Sequence, residues 1–548
     1  MAIRVPFTPG DLVDRQRGTD DVLAGDLNTN ILIGDAGGSL LDFSRGGNDI
    51  FTGSPSSTTT AYGDAGEDGS DHSKGGNDTF TGASLGTYVF YGDVGGNMFV
   101  HALGGDDSFR AEGDSFNTFY GDAGGDMSDH SKGGNDTLSS EVGRRVDNTF
   151  YGDAGGNMFG FAQGGDDIFV TSTRQGADHT FYGDAGGEMS DHGKGGNDTF
   201  QGSIEANNIF YGDAGSNMSG NAQGGDDSFT TRTDSFNTFY GDAGGDMSDY
   251  SKGGNDTFTG GFFSTNTFFG DAGGNMSDHA QGGDDHYTDL GGEIGSKTLY
   301  GDAGGDLSGF AAGGNDTFTS AGGSEITFYG DAGGSMFDHA LGGDDVAVLQ
   351  GTHNLGYGDA VTMLGSAVGG NDTLTGGDKS AFPDVLNELY GDARAMSGSA
   401  QGGNDILTGG HNSESGQVRN FLCGDALQMS GSAKGGNDTL YAGSAAPGCT
   451  VINDMWGDGQ LSELAQGGKD QFIFKDDGSM TVGTQNTIYD FSQTQGDTIV
   501  FSGVEGVQSF DDLTIAQTGA DTIITAGVDQ VTLANFTSPL TTSDFLFV

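Results

Sequence analysis

The chain has 548 residues, of which only 33% are apolar, and its formal charge is -59; ordinary globular domains are about 45–50% apolar. Such a composition is that of a disordered chain unless cations on a large scale supply what apolar burial does not. The sign of the charge argues against nucleic acid and anionic membrane surfaces as partners and for cations, and 107 Gly beside 6 Pro without a Gly-X-Y period exclude collagen.

Residues 1–17 precede any pattern and read as an N-terminal cap or leader. They lack the apolar run of a cleavable secretory signal. Nowhere does the chain reach the ~20 apolar residues that span a bilayer as a helix. A half-repeat, GTDDVLAGD, occupies 18–26, and fifteen full copies then follow at intervals of 28–33 residues up to Asp470. Residues 114–140, DSFNTFYGDAGGDMSDHSKGGNDTLSS, are representative. A fixed period in this range signals stacked units, none able to bury its apolar side alone. Residues 18–470 are therefore expected to form one repeat array.

Each copy holds two fixed aspartates. The first, behind the Gly that follows an aromatic pair, is Asp35, Asp64, Asp93, Asp122, Asp153, Asp184, Asp213, Asp242, Asp271, Asp302, Asp331, Asp359, Asp392, Asp425 or Asp458. The second closes the Gly-Gly motif as Asp49, Asp78, Asp107, Asp136, Asp167, Asp198, Asp227, Asp256, Asp285, Asp316, Asp345, Asp372, Asp405, Asp438 or Asp470. They stand 14 apart in the first eleven copies, 13 in the next three and 12 in the last. Copies two to eleven alternate GGND with GGDD.

The pattern predicts three short strands per copy, separated by Gly-rich turns. The first ends on the pair before Gly-Asp, such as Phe119-Tyr120. The second begins at a Met, such as Met98, Met127 or Met158. The third follows the second aspartate, where Phe80, Phe109, Leu138, Phe169, Phe200 and Phe229 recur two places on. Residues i and i+2 of a strand share a face, so one large apolar residue per strand stacks into a ladder from coil to coil. The fold class is all-β: an elongated parallel β-solenoid of about fifteen coils, β-roll or β-helix-like. Variable segments such as 139–149 and 171–180 read as outward loops. Residues 471–548, with FIF, NTIYDF, DTIVF and a final SDFLFV, read as a small β C-terminal unit different in kind.

Thirty carboxylates in phase need a cause. Coils of a solenoid lie about 4.8 Å apart, so each position becomes a column of like charges that repel unless cations sit between them. Flanking glycines let the backbone turn tightly and aim carbonyl oxygens at the same point. Carboxylate and carbonyl oxygens alone make a hard site that selects Ca2+ over Zn2+ or Cu2+. Two such ions per copy would bring 60 positive charges against the -59.

GGNDTFTG, GGNDTLTGG (369–377) and LYGDA (299–303, 389–393) resemble the RTX, or haemolysin-type, calcium-binding repeats of bacterial exported proteins. The resemblance covers about residues 18–470. MSDHSK-like inserts interrupt the nonapeptides, so a coil larger than the family's roll is expected. The position matching the family's Asp after Gly-Asp-Ala-Gly-Gly varies: Asp126 and Asp246, but Asn97, Asn157, Glu188 and Ser335. The tail resembles the family's C-terminal region, which implies type I export without N-terminal cleavage, a Gram-negative source and an extracellular destination.

Other signals carry less. Asp-His pairs at 71–72, 129–130, 191–192, 278–279 and 338–339 suggest a transition-metal column, but the same slot holds Phe161, Asn221, Tyr250, Phe310 and Ser399. Gly82–Gly86 matches G-x-S-x-G in a variable loop without hydrolase context. Thr-x-Thr triplets at 79–81, 257–259 and 317–319 suggest an ice-binding face, broken at Arg110, Val170 and Gln201. Cys423 and Cys449 follow no metal-ligand spacing and leave a loop disulfide open. Cap, array and tail use up the chain, so no enzyme is expected. The reading is a secreted calcium-binding structural protein of a surface layer, matrix or self-assembling fibre, with calcium and possible copies of itself as partners. The alternatives are a glycan- or surface-binding adhesin, for which Phe262-Phe263 in an outward loop speaks, and an ice-binder.

Overall fold

A computed structural model describes all residues except 1, 5–7, 141–146, 172–175, 293, 380–383, 476–483 and 528. Of the two segments read as outward loops, 139–149 and 171–180, the parts 141–146 and 172–175 lie outside the described residues, and the ends 139–140, 147–149, 171 and 178–180 belong to strands. The chain divides into two units, Met1–His286 and Tyr287–Val548. Both are parallel β-solenoids, and the helix among the described residues is limited to two 3-10 turns, Phe510–Asp512 and Thr542–Asp544. No helix of the described residues is long and apolar enough to cross a membrane.

In the first unit each coil sets down a five-residue strand that ends on the aromatic pair, such as Thr87–Tyr91, Phe116–Tyr120 and Asp147–Tyr151. A shorter strand follows the second aspartate: Thr79–Thr81, Ser108–Ala111, Thr137–Ser140. Each pairs in parallel with its equivalent one coil on, in a register that puts Phe90 beside Phe119, Phe119 beside Phe150, and Phe80 beside Phe109. Alternation along the strand sends Asn117 and Phe119 inward and leaves Thr118 and Tyr120 half-buried on the outside. The two inward Phe columns face each other, with Phe80 and Phe90 ring centroids 5.5 Å apart and Phe109 and Phe119 5.7 Å apart. This is the core, and it is as thin as the low apolar content requires.

The expected second strand is reduced to corners. Ala123, Met127 and Lys132 each make one bridge to the coil before and one to the coil after. Gly124 is required at this corner, because an added Cβ would strike the ring of Tyr91 and the Gly95 carbonyl. The tyrosine ring thus lies over the first glycine of the next coil's Gly-Gly. In the second unit the corner opens into four-residue strands, Ala360–Met363, Ala393–Met396 and Ala426–Met429, which end on the Met where the expectation had them begin.

A polar ladder runs inside the core of the second unit: the Nδ2 groups of Asn354, Asn387, Asn420 and Asn453 each donate at 2.7 Å to the Oδ1 of the next Asn, ending at Asn486. At the N-terminus, Ala2–Arg4 pairs with Thr29–Ile33, and Thr8, Leu12 and Arg17 bridge to Ala36, Leu40 and Arg45. Beyond Asp470 the parallel ladders continue through Gln471–Lys475, Thr484–Ile488 and Thr498–Ser502. An antiparallel meander, Leu513–Thr518, Asp521–Ala526 and Asp529–Leu533, follows as the small additional β unit. Cys423 and Cys449 are both buried free thiols.

Candidate metal centre

The Gly-Asp dipeptide leaves the end of a strand, and the Gly-Gly motif leads into the next one, so the two meet across one edge of the coil. The first aspartate bridges them. Both carboxylate oxygens of Asp122 accept from Gly134 N, at 3.1 and 3.0 Å. The same bond joins Gly76 to Asp64 (2.7 Å), Gly105 to Asp93 (2.8 Å), Gly254 to Asp242 (2.8 Å) and, in the second unit, Gly343 to Asp331 (2.7 Å) and Gly370 to Asp359 (2.8 Å). The second aspartate bonds between coils. Asp136 Oδ1 accepts from Asp107 N at 2.5 Å, Asp167 Oδ1 from Asp136 N at 2.6 Å, and so on along the column.

All thirty aspartates, from Asp35 to Asp470, are at most 4% exposed. A carboxylate so far from water normally has every lone pair engaged. Here one oxygen, Oδ2, has no hydrogen-bond partner at twelve of the second aspartates: Asp49, Asp78, Asp107, Asp136, Asp167, Asp198, Asp227, Asp256, Asp372, Asp405, Asp438 and Asp470. These orphaned oxygens share a direction. A Cβ added to Gly121 would strike both Asp136 Oδ2 and the Gly152 carbonyl oxygen of the next coil, and Gly63, Gly92, Gly152, Gly183 and Gly212 repeat the arrangement. A Cβ on Gly133 would strike Asp153 Oδ1. The glycines are thus required by close approach of oxygens, and any side chain would fill the cradle they leave.

Carboxylates of successive copies crowd as closely. One oxygen from each of Asp64, Asp78 and Asp93 lies within 4.8 Å of the others. Burial first, and then the charges of Asp78 and Asp93, drive the Asp64 carboxyl far above the usual carboxylate range. Burial likewise pushes Asp49 up to about 8, and Asp93, Asp242 and Asp392 up to about 6. The fully buried lysines among the described residues, Lys297 and Lys379, pair with Asp289 and Asp384, outside both columns. The donor set is therefore oxygen only, anionic and preformed, which fits a hard divalent cation such as Ca2+ and offers no nitrogen or sulfur to a softer one.

Three aspartates that the repeat count passes over adjoin the same columns. Asp21 N donates to Asp49 Oδ1 at 2.6 Å, as a second aspartate of the half-repeat would. Asp490 accepts from Gly457 N, Asp458 N and Gly459 N at 3.0, 3.1 and 2.8 Å, and Asp497 accepts from Asp470 N at 3.2 Å. Burial pushes both up to about 7. Tyr489-Asp490 after a strand and Gly496-Asp497-Thr498 before one are the traces of the motif; the spacing of 7 hides them. The variable position is elsewhere: Asp126, Asn157 and Glu188 form a surface ladder, with Asn157 N donating to Asp126 Oδ1 at 2.7 Å and Glu188 N to Asn157 Oδ1 at 2.8 Å. The Asp-His pairs are also at the surface, in a stack that runs Phe43, His72, His101, His130, Phe161, His192 with centroids 4.4–4.9 Å apart.

No protein-family model matches this chain, and no curated protein matches it.

Proposed function

We propose that this chain is a calcium-binding structural protein of the bacterial exterior that folds when its aspartate columns take up calcium. The observation that carries the reading is the row of buried, unpartnered Oδ2 atoms, which from Asp49 to Asp256 and from Asp372 to Asp438 converge with a glycine carbonyl of the following coil. Asp122 and Asp136, with the Gly152 carbonyl, would hold an ion in one coil, and the equivalent triplets would do so along each unit. The bound ion supplies the positive charge that lets neighbouring carboxylates stay ionised out of water. Every other part of the switch belongs to the chain. Where calcium is scarce the carboxylates repel and the chain stays extended and fit for export; where it is plentiful each pair of coils is drawn together through a shared site.

Sites of the extracellular class bind with Kd on the order of 10⁻⁴–10⁻³ M. Each contributes RT ln(1 + [L]/Kd), roughly 1 kcal/mol at a few times Kd. Over fifteen coils that sum is comparable to the whole stability of a typical domain, about 5–15 kcal/mol. Neutralisation also removes the repulsion between copies of a -59 chain, so calcium is expected to drive association as well as folding. Sedimentation in millimolar calcium checks this: growth of the particle with protein concentration is expected. A strictly monomeric species at every concentration would favour the second reading, an adhesin, for which the exposed Phe116, Phe236, Phe262 and Phe263 supply contact surface.

A further inference from the structure

Several coils depart from the Asn ladder of the core, with Thr59, Tyr88, His179 or Ile326 at its position, and one puts a lysine there. At the strand position five residues before the first aspartate, where Asn117, Asn148, Asn208, Asn237 and Asn266 stand in other copies, this coil carries Lys297. The same coil alone carries a buried Asp289 at the end of the preceding strand. Lys297 Nζ lies 3.7 Å from Asp289 Oδ2, and both side chains are at least 99% buried.

The surroundings of Asp289 are more than those of an ion pair. Its Oδ1 accepts from two backbone donors, Gly291 N at 2.8 Å and Ala321 N at 3.0 Å. Its Oδ2 accepts from two hydroxyls, Tyr287 Oη at 3.1 Å and Ser320 Oγ at 2.9 Å. Tyr287 and Ser320 are themselves at most 1% exposed. One oxygen therefore sits in a pair of N–H groups able to hold a developing oxyanion. The other sits among donors able to attend a leaving group, with an amine beside it.

We propose that Lys297 and Asp289 are joined by an intramolecular isopeptide bond formed after folding. The neutral amine attacks Cγ of the protonated carboxyl, forming the Nζ–Cγ bond and a tetrahedral centre whose Oδ1 is held by Gly291 N and Ala321 N. The Cγ–Oδ2 bond then breaks, and Oδ2 leaves as water, carrying the carboxyl proton and one proton from the amine. The product is a secondary amide and one water; no oxidant or co-reactant is required. Burial lowers the affinity of Lys297 for its proton against the opposing pull of Asp289, and a proton passed from Nζ to Oδ2 within the pair frees the amine for the attack. Fixed proximity replaces the activation that an intermolecular condensation would need.

Trypsin digestion of the full chain, purified with an ordered β spectrum and then denatured, tests this without reference to calcium. The sequence has no Lys or Arg between Lys252 and Lys297, nor between Lys297 and Lys379. A linked Lys297 resists the protease, so the expected product is one peptide, 253–379, lighter than its sequence by one water. Further cleavage after Glu293 should leave its fragments covalently joined. Separate peptides 253–297 and 298–379 at full mass would overturn the proposal and leave a plain ion pair. Separate peptides with 253–297 short of one water would also overturn it, in favour of a succinimide at Asp289. Lys297→Met provides the control: its 253–379 peptide should regain full mass.

Discussion

Asp129 and His130 illustrate how backbone angle dictates the wording of the repeat. Both lie in the left-handed region, with φ of 50° and 66°, in a turn closed by Ser131 N on Ser128 O. Asp and Gly tolerate this region better than other residues do. The first turn position is accordingly Asp71, Asp191, Asp249, Asp278 and Asp338, or Gly160, Gly220, Gly309 and Gly365. Val100, at φ 51°, is a misfit there. Val100→Asn should raise stability by about 1 kcal/mol, while His130→Ala, at an exposed stack, should change it by no more than about 0.5 kcal/mol; thermal melts in calcium check both. The alternation of GGND with GGDD has a similar local cause. These residues form a surface ladder in which Asn135 N donates to Asp106 Oδ1, Asn197 N to Asp166 Oδ1 and Asn255 N to Asp226 Oδ1. Interleaved Asn keeps like charges two coils apart.

The columns of aspartate behave as elements in their own right, and their protonation sets a pH dependence. Folded-state affinities for protons are raised, to about 8 at Asp49 and about 6 at Asp93, Asp242 and Asp392, from an ordinary 3.8. A raised value means stability that is fully present below the unfolded pKa and lost as pH rises through the folded one. In chelator, the folded form should therefore be recovered near pH 4 and lost progressively between about pH 4 and 8. Calcium must compete with those protons, so its affinity should fall in the same window as pH is lowered. Circular dichroism across pH, with and without calcium, measures both. Failure of acid to restore β structure in chelator would mean that carboxylate repulsion is not what opens the fold.

At this scale much was legible in advance. The spacing of Asp122 and Asp136, and the apolar residue two places beyond, carry the coil, its register and the two Phe columns. The reduction of the second strand to single bridges at Ala123, Met127 and Lys132 was not legible, because bridges of this kind form between neighbouring coils and not within one copy. Asn387 and Asn420 bond to each other in the core, which nothing in one copy alone announces. Asp490 and Asp497 escaped because the segment between them shrinks to a turn while the ladder on either side continues.

For the whole molecule, a charge of -59 on 548 residues makes folding and location one question. Export is expected to depend on the C-terminal text: deleting 471–548 should hold the protein inside the cell, while deleting 1–17 should not. Cell fractionation that finds undiminished export after the C-terminal deletion would refute the assignment of the signal. The central claim is that calcium holds the aspartate columns together, and far-ultraviolet circular dichroism of the full chain at neutral pH during chelation and calcium return tests it most directly. The account predicts conversion of a β spectrum to a disordered one, restored by calcium along a steep curve, because neighbouring coils share their sites. A β spectrum unchanged in excess chelator, in protein whose metal content is confirmed as nil, would contradict it.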